Sequence, residues 1–232
     1  MTALERQGGA ASMAELDELR YLLVRALPGC RTETIRALIE SARLRNVESG
    51  DPIYRQGEPV PLTLIINGYG AARRTTEGGQ QIVSGVAPSG VLFGYSGLAS
   101  APSSIEMVAL TVCRVAQWPG LEIRGLAAGD PGLAFAAIDS MAASLHQTIE
   151  RIEGFLHQDA RRRVLRILAS HRDLFFGEKP VLNRSHLPGL VGTSREMTGR
   201  VLRQLEREGT LRRVGRAGLR LLEPDRLDGG VA

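Results

Sequence analysis

The apolar positions change their period several times along the chain. Leu19, Leu22, Leu23 and Leu27 recur at helical spacing, Pro28-Gly29 breaks that run, and Ile35, Leu38 and Ile39 share one face of a second helix. From residue 44 to about 118 the apolar runs shorten, as in Leu62-Thr63-Leu64-Ile65-Ile66 and Met107-Val108-Ala109-Leu110. Turn signals at 49–52, 56–59, 67–68, 77–79 and 88–90 separate them. Turns this close together between β-rich runs predict a sandwich or barrel.

Residues 131–157 read as one long helix. Phe135, Ile138, Ala142, Leu145, Ile149, Ile152 and Leu156 are spaced alternately three and four apart, a heptad seam about 33 Å long at roughly 1.5 Å per residue. Such a stripe fits either a helix buried in one chain's core or a dimer seam; its narrowness favours the seam. A further helix is expected over 160–169, a loop at 177–180, two helices around a tight turn between 183 and 208, and a β-hairpin over 211–222. No internal repeat or low-complexity segment interrupts this order.

The segment LNRSHLPGLVGTSREMTGRVLRQLEREG, residues 182–209, carries the most specific signal. Gly192 stops one helix, and Thr193 or Ser194 caps the next, with Thr193-x-x-Glu196 in the form of a capping box. Met197, Val201, Leu202 and Leu205 make an apolar face; Arg195, Glu196, Gly199, Arg200 and Arg203 fall opposite. Arginine can hold guanine by two hydrogen bonds, and glutamate can accept from cytosine. Arg195, Glu196 and Arg200 are therefore candidate base readers, Arg184, Thr193 and Ser194 candidate phosphate contacts, and Gly199 a place where the helix can approach a groove. The alternative is an amphipathic surface helix with solvated charges. Pro188 interrupts the preceding helix if Asn183 begins it.

Charge sharpens this picture. Residues 159–232 hold 16 arginines and lysines against 9 acidic residues, while 1–158 hold 13 against 16. A basic C-terminal third suits a phosphate-binding surface, although a solvated face would look the same. No run approaches the roughly 20 apolar residues that span a bilayer, and the N-terminus, with Glu5, Glu15 and Asp17, has no apolar signal region. The expectation is a cytoplasmic protein without membrane contact. Cys30 and Cys113 are too few for a disulfide framework; Cys113 reads as core, Cys30 as the more exposed and oxidisable. His146, His157, His171 and His186 lack metal-ligand spacing, and no catalytic constellation is visible.

The 182–209 segment resembles the DNA-binding domain of the Crp/Fnr family, the cyclic-AMP receptor and fumarate-nitrate regulators. Upstream, Gly50-Asp51-Pro52-Ile53-Tyr54-Arg55-Gln56-Gly57-Glu58 resembles the opening of that family's β-roll, residues 62–68 its next strand and turn, and Gly78 falls in its expected hairpin. Gly94 falls where its ligand cassette begins, and Asp159-Ala160-Arg161-Arg162-Arg163-Val164 resembles its hinge and first DNA-domain helix. The resemblance implies an α+β protein: N-terminal helices at 1–43, a cyclic-nucleotide-binding-like β-roll at 44–130, a dimerisation helix at 131–158 and a winged helix-turn-helix at 159–232. It implies a homodimeric, non-enzymatic regulator on double-stranded DNA, with RNA polymerase as partner. Arg195, Glu196 and Arg200 match the base-reading positions, and the Arg195-Glu196, Gly199-Arg200 pattern looks like the cyclic-AMP receptor branch, favouring TGTGA-type over TTGAT-type half-sites.

The departures concern the effector. The family's nucleotide binders use Gly-Glu for the ribose and Arg-Ser for the cyclic phosphate; here Gly94-Tyr95 and Ser103-Ser104 stand in those places. Only Thr148, beside Ile149, still matches a nucleobase-contacting position. These losses argue against cyclic AMP. The iron-sulfur branch's N-terminal cysteines are absent too. No cofactor is expected; the alternatives are a cyclic-nucleotide regulator with an atypical pocket, a haem or redox sensor with one histidine as axial ligand, or an enzyme regulated through its β-roll.

Overall fold

The computed structural model describes residues 12–75 and 81–228, so the expected turn at Gly78 and the charge at Glu5 lie outside the described residues. The chain divides into two units. One holds the residues up to Arg74 with Val86–Leu145; the other holds Thr75–Gly85 with the residues from His146 on.

The first unit opens with α1 (Met13–Ala26) and α2 (Thr32–Ser41). Ser12 and Glu15 cap α1 reciprocally, each side chain taking the other's backbone N–H. Then come β1 (Arg43–Val47), β2 (Pro52–Tyr54), β3 (Leu62–Asn67), β4 (Tyr69–Thr75), β5 (Gln81–Pro88) and β6 (Leu92–Phe93). A 3-10 turn at Tyr95–Ala99 leads to β7 (Glu106–Ala109) and β8 (Cys113–Trp118). The strands form two four-stranded sheets ordered β1-β8-β3-β6 and β2-β7-β4-β5.

β3 reads as an unbroken apolar run because both its faces are covered. Leu62, Leu64 and Ile66 pack with Leu19, Leu23, Leu38 and Trp118 on the helical side, while Ile65 packs with Ile53, Val60, Met107 and Val115 on the other. Trp118 donates its indole N–H to the Leu38 carbonyl at 2.7 Å, so the largest buried side chain is also hydrogen-bonded.

α3 (Gly120–Gly129), which the apolar pattern does not announce, precedes α4 (Pro131–His157). Asp130 starts α4: its Oδ1 accepts from Gly132 N at 2.9 Å, and Pro131 takes the first helical position, where no N–H is needed. Its Oδ2 accepts from Arg31 N, also at 2.9 Å, at the head of α2, whose own N-cap residue supplies no side-chain cap. One carboxylate thus serves two helix N-termini.

The second unit contains the last turns of α4, then α5 (Ala160–Ser170), α6 (Arg172–Phe176), α7 (Leu187–Val191) and α8 (Arg195–Arg207). The hairpin β9 (Leu211–Val214) and β10 (Gly218–Leu221) follows, then α9 (Pro224–Asp228). Asp159 caps α5 through Arg162 N at 2.8 Å. Val164, Leu165, Leu168, Leu187, Val201, Leu202, Leu205 and Leu219 are buried. The expected interruption at Pro188 does not occur. α7 begins at Leu187 rather than near Asn183, so Pro188 sits in the first turn, where its missing N–H costs nothing.

Candidate nucleic-acid interface

The turn between α7 and α8 depends on Gly192, which has φ +66° and closes α7 in the left-handed region. A Cβ there would also lie 2.4 Å from the Phe155 ring, so the end of α4 packs directly on the turn. The cap of α8 is Ser194, whose hydroxyl accepts from Met197 N at 3.1 Å. The expected capping box from Thr193 to Glu196 is therefore not formed: with Ser194 as cap the third helical position is Met197, and Glu196 points elsewhere. Thr198, absent from the expected apolar face, is buried and donates its hydroxyl to the Ser194 carbonyl at 3.0 Å. The true buried face is Thr198, Val201, Leu202 and Leu205.

Arg195, Glu196 and Arg200 are all exposed on the opposite face. Arg200 donates to the Glu196 carboxylate at 3.2 Å, an ion pair with both side chains largely in solvent. Thr193 is half-buried and Ser194 exposed at the helix start, where free N–H groups favour anions. Arg184 makes contacts within the protein. Its backbone N–H donates to the Ala217 carbonyl at 3.0 Å and its guanidinium to the Arg216 carbonyl, tying the segment before α7 to the hairpin tip. On β9, just before the tip, the Arg213 backbone N–H donates to Glu206 of α8 at 3.0 Å and its guanidinium at 2.7 Å. These two contacts hold the Glu206 carboxyl below the usual range.

The hairpin is thus held to the segment before α7 through Arg184 and to α8 through Glu206. Between them lies a cleft of about 400 Å³, lined by Arg184, Arg195, Arg213 and Arg216 together with Gly199. Arg213 and Arg216 escape a helix-centred reading of the sequence; the signal was the arginine-rich Arg212-Arg213-Val214-Gly215-Arg216 of the hairpin. The arrangement presents guanidinium groups along one surface, the chemistry required by nucleic-acid phosphates and base edges.

Gly199 is a sharp probe of that surface. A Cβ there would meet only the end of Arg203, at 3.6 Å, so the fold has room for alanine. Gly199→Ala is expected to raise stability by about 0.5–1 kcal/mol, because glycine weakens a helix interior. It should at the same time weaken DNA binding if this face enters a groove. Thermal melts and binding titrations on the same variant check both signs.

The residues expected around an effector have different local surroundings. Gly94 has φ +94° and its missing Cβ would fall 2.2 Å from the Pro61 carbonyl oxygen, so this glycine serves close backbone packing. The Tyr95 ring is buried in the helical-side core with Leu92, Trp118 and Leu133, not beside the partner residues of the inner core. Burial pushes its hydroxyl up to about 12, with Cys30 contributing less. Ser103 is buried, and its hydroxyl donates to the Ile105 carbonyl at 2.6 Å and accepts from Ile105 N at 3.3 Å. Ser104 is exposed, and Thr148 belongs to the second unit.

Cys113 is buried as expected, whereas Cys30 is half-buried and its thiol is pushed up to about 11 by burial and by Asp130. At neutral pH it is a thiol rather than a reactive thiolate. His146 pairs with Glu150 at 3.3 Å and His157 is exposed. His171 and His186 are held below their ordinary values by burial and bond locally, His171 to Ser170 and Ile167, His186 to Asn183. Among the described residues no group of three His, Cys, Asp or Glu could hold a metal ion, and no helix is long and apolar enough to cross a membrane.

Comparison with known proteins agrees with this geometry over most of the chain. The cyclic nucleotide-binding domain family matches residues 44–130, and the Crp-like helix-turn-helix domain family matches residues 150–229. The cAMP-activated global transcriptional regulator Vfr of Pseudomonas aeruginosa is 27% identical over 195 residues, covering 78% of this chain and 90% of Vfr. The fold is shared with CLP of Xanthomonas campestris, described as a c-di-GMP responsive global regulator, at a TM-score of 0.69 and 24% identity over 82% of this chain and 99% of CLP. It is shared also with a Crp/Fnr-family regulator from Eubacterium rectale, at a TM-score of 0.75 and 17% identity over 87% of this chain and 94% of that one. With a β-roll of the nucleotide-binding type and a Crp-like helix-turn-helix in one α+β chain, this protein belongs to the Crp/Fnr family of DNA-binding transcription regulators.

Proposed function

We propose that the chain acts as a homodimer joined along α4 and reads a two-fold operator, with Arg195, Glu196 and Arg200 contacting bases in each half-site. The observation that carries the reading is the first two turns of α8: capped by Ser194, seated on a buried face and presenting these three side chains to solvent. Arg184, Thr193 and Ser194 contact phosphates beside them. The seam is supported by its exposure in a single chain: Phe135, Ile138, Leu145, Ile149, Ile152 and Leu156 all stand in solvent, as does Ala142. A stripe this long and apolar calls for a partner surface. RNA polymerase is the further partner that family membership suggests, and a cytoplasmic location fits the role. The proposed divisions remain 1–43, 44–130, 131–158 and 159–232.

Vfr and CLP answer to nucleotides, which are anions. The Ser103–Ser104 step of this chain offers no cation, the Ser103 hydroxyl is engaged with Ile105, and the Gly97 N–H already donates to the Gly94 carbonyl at 2.9 Å. A buried phosphate needs a paired cation or several aligned donors. Operator binding is therefore proposed to proceed without cyclic AMP. Selection from random DNA should return paired TGTGA-type half-sites, with affinity unchanged by cyclic AMP or cyclic GMP. A tenfold gain with either nucleotide would instead establish a nucleotide-dependent regulator. Arg200→Ala should cost about 1–3 kcal/mol on the selected site and little on random DNA, because a base contact is lost. An equal loss on both would make Arg200 a phosphate contact.

A further inference from the structure

The first unit contains a cleft of about 630 Å³ that the nucleotide positions do not explain. Its walls include Leu92 and Tyr95 from the β-roll and Phe135, Ala136, Asp139 and Ser140 from α4. This volume lies within the range that holds small organic molecules. Tyr95 is only 5% exposed, and it lines the cleft. A nearly buried phenol at the wall of a cleft offers a bound molecule both a donor and an acceptor. The charge of the wall is one-sided: Asp139 is its single ionisable carboxylate, and no lysine, arginine or histidine lines it.

We propose that this cleft binds an uncharged or cationic organic molecule, with its apolar body against Leu92, Phe135 and Ala136 and its polar groups on the Tyr95 hydroxyl and the Asp139 carboxylate. Anions, cyclic nucleotides included, are disfavoured by Asp139 and by the lack of a cation to replace lost water. The molecule rests on the face of α4 that begins the apolar stripe at Phe135, so occupancy bears on pairing along that stripe. That consequence rests on the dimer proposed above; binding itself does not.

The test uses two fluorescent probes of similar ring size on the full chain, uncharged N-phenylnaphthylamine and anionic anilinonaphthalene sulfonate. The uncharged probe should bind saturably, one per chain, and the anion at least tenfold more weakly. Ala136→Trp fills the cleft and should weaken the uncharged probe tenfold or more, whereas Leu121→Glu, at an exposed residue of α3 outside the cleft, should leave it unchanged. Asp139→Lys changes an exposed side chain, so it tests the site even if Ala136→Trp misfolds; the preference against the anion should vanish or reverse. Equal affinity for both probes in the parent protein, or no saturable binding, would overturn the proposal. So would a preference that Asp139→Lys leaves intact, or binding that survives Ala136→Trp, which would place the probe outside the cleft.

Discussion

Leu145→Glu is expected to elute at the mass of one chain, 25.1 kDa, and to lose operator affinity a hundredfold or more. Leu145 is 62% exposed in the single chain and sits midway along the stripe. In a paired α4 each copy would bring a carboxylate into an apolar seam. The helix carries no arginine or lysine before Arg151 that could neutralise it. An unpaired buried charge costs several kcal/mol, and a symmetric dimer would bear two. DNA affinity should fall with assembly, because a monomer holds one half-site and forgoes the second, tethered contact. Leu121→Glu on α3, at a residue 70% exposed and off the stripe, is the matched control and should remain a fully active dimer. Dimeric elution of Leu145→Glu with unchanged affinity would remove α4 from the interface.

Asp130→Ala is expected to destabilise the first unit by roughly 3 kcal/mol, from two lost helix caps and buried N–H groups left without partners. Gly132 N, Arg31 N and the Thr34 hydroxyl all bond to this one carboxylate. The Thr34 hydroxyl first, then the Arg31 N–H, hold it below the usual range. A carboxyl whose pKa is lower folded than unfolded stabilises the fold at pH values above its unfolded pKa, about 3.9. That contribution drains away as pH falls through the folded value. Chemical denaturation of parent and Asp130→Asn should therefore show a gap at pH 7 that narrows at pH 3. A gap of equal size at both would mean that the loss is steric rather than ionic.

The elements legible in the sequence were those with a local cause. α4 was bounded correctly because its spacing alternates three and four over seven apolar positions between Asp130-Pro131 and the next cap. The 211–222 hairpin and the helix pair around Gly192 were likewise marked by their own residues. α3 went unread because glycines at 120, 125 and 129 hide its period and Ile123 alone is buried. α6 and α9, at five residues each, are too short to show a period. Neither the strand order nor the side to which Tyr95 turns has a local signature, since both follow from pairings such as β1 with β8 across the whole roll. Helical spacing alone put Arg195, Glu196 and Arg200 on the exposed face of α8, but the contacts of Arg184 and Glu206 with the hairpin depend on where the hairpin comes to rest.

If Arg200 and Glu196 read bases as proposed, their ion pair gives the helix two settings. Closed, the two side chains satisfy each other, and the helix shows a passing duplex little beyond the general attraction of its arginines for phosphate. Open, each is free for a base edge. Exposed pairs of this kind are worth at most about 1 kcal/mol, so opening is cheap and does not hold back the fit to a correct site. On a wrong sequence, however, nothing repays even that small cost, and the pair recloses. A protein built this way would move along DNA with its reading groups more often paired than free, the balance shifting to the free form where the bases on offer outbid the partner each already has.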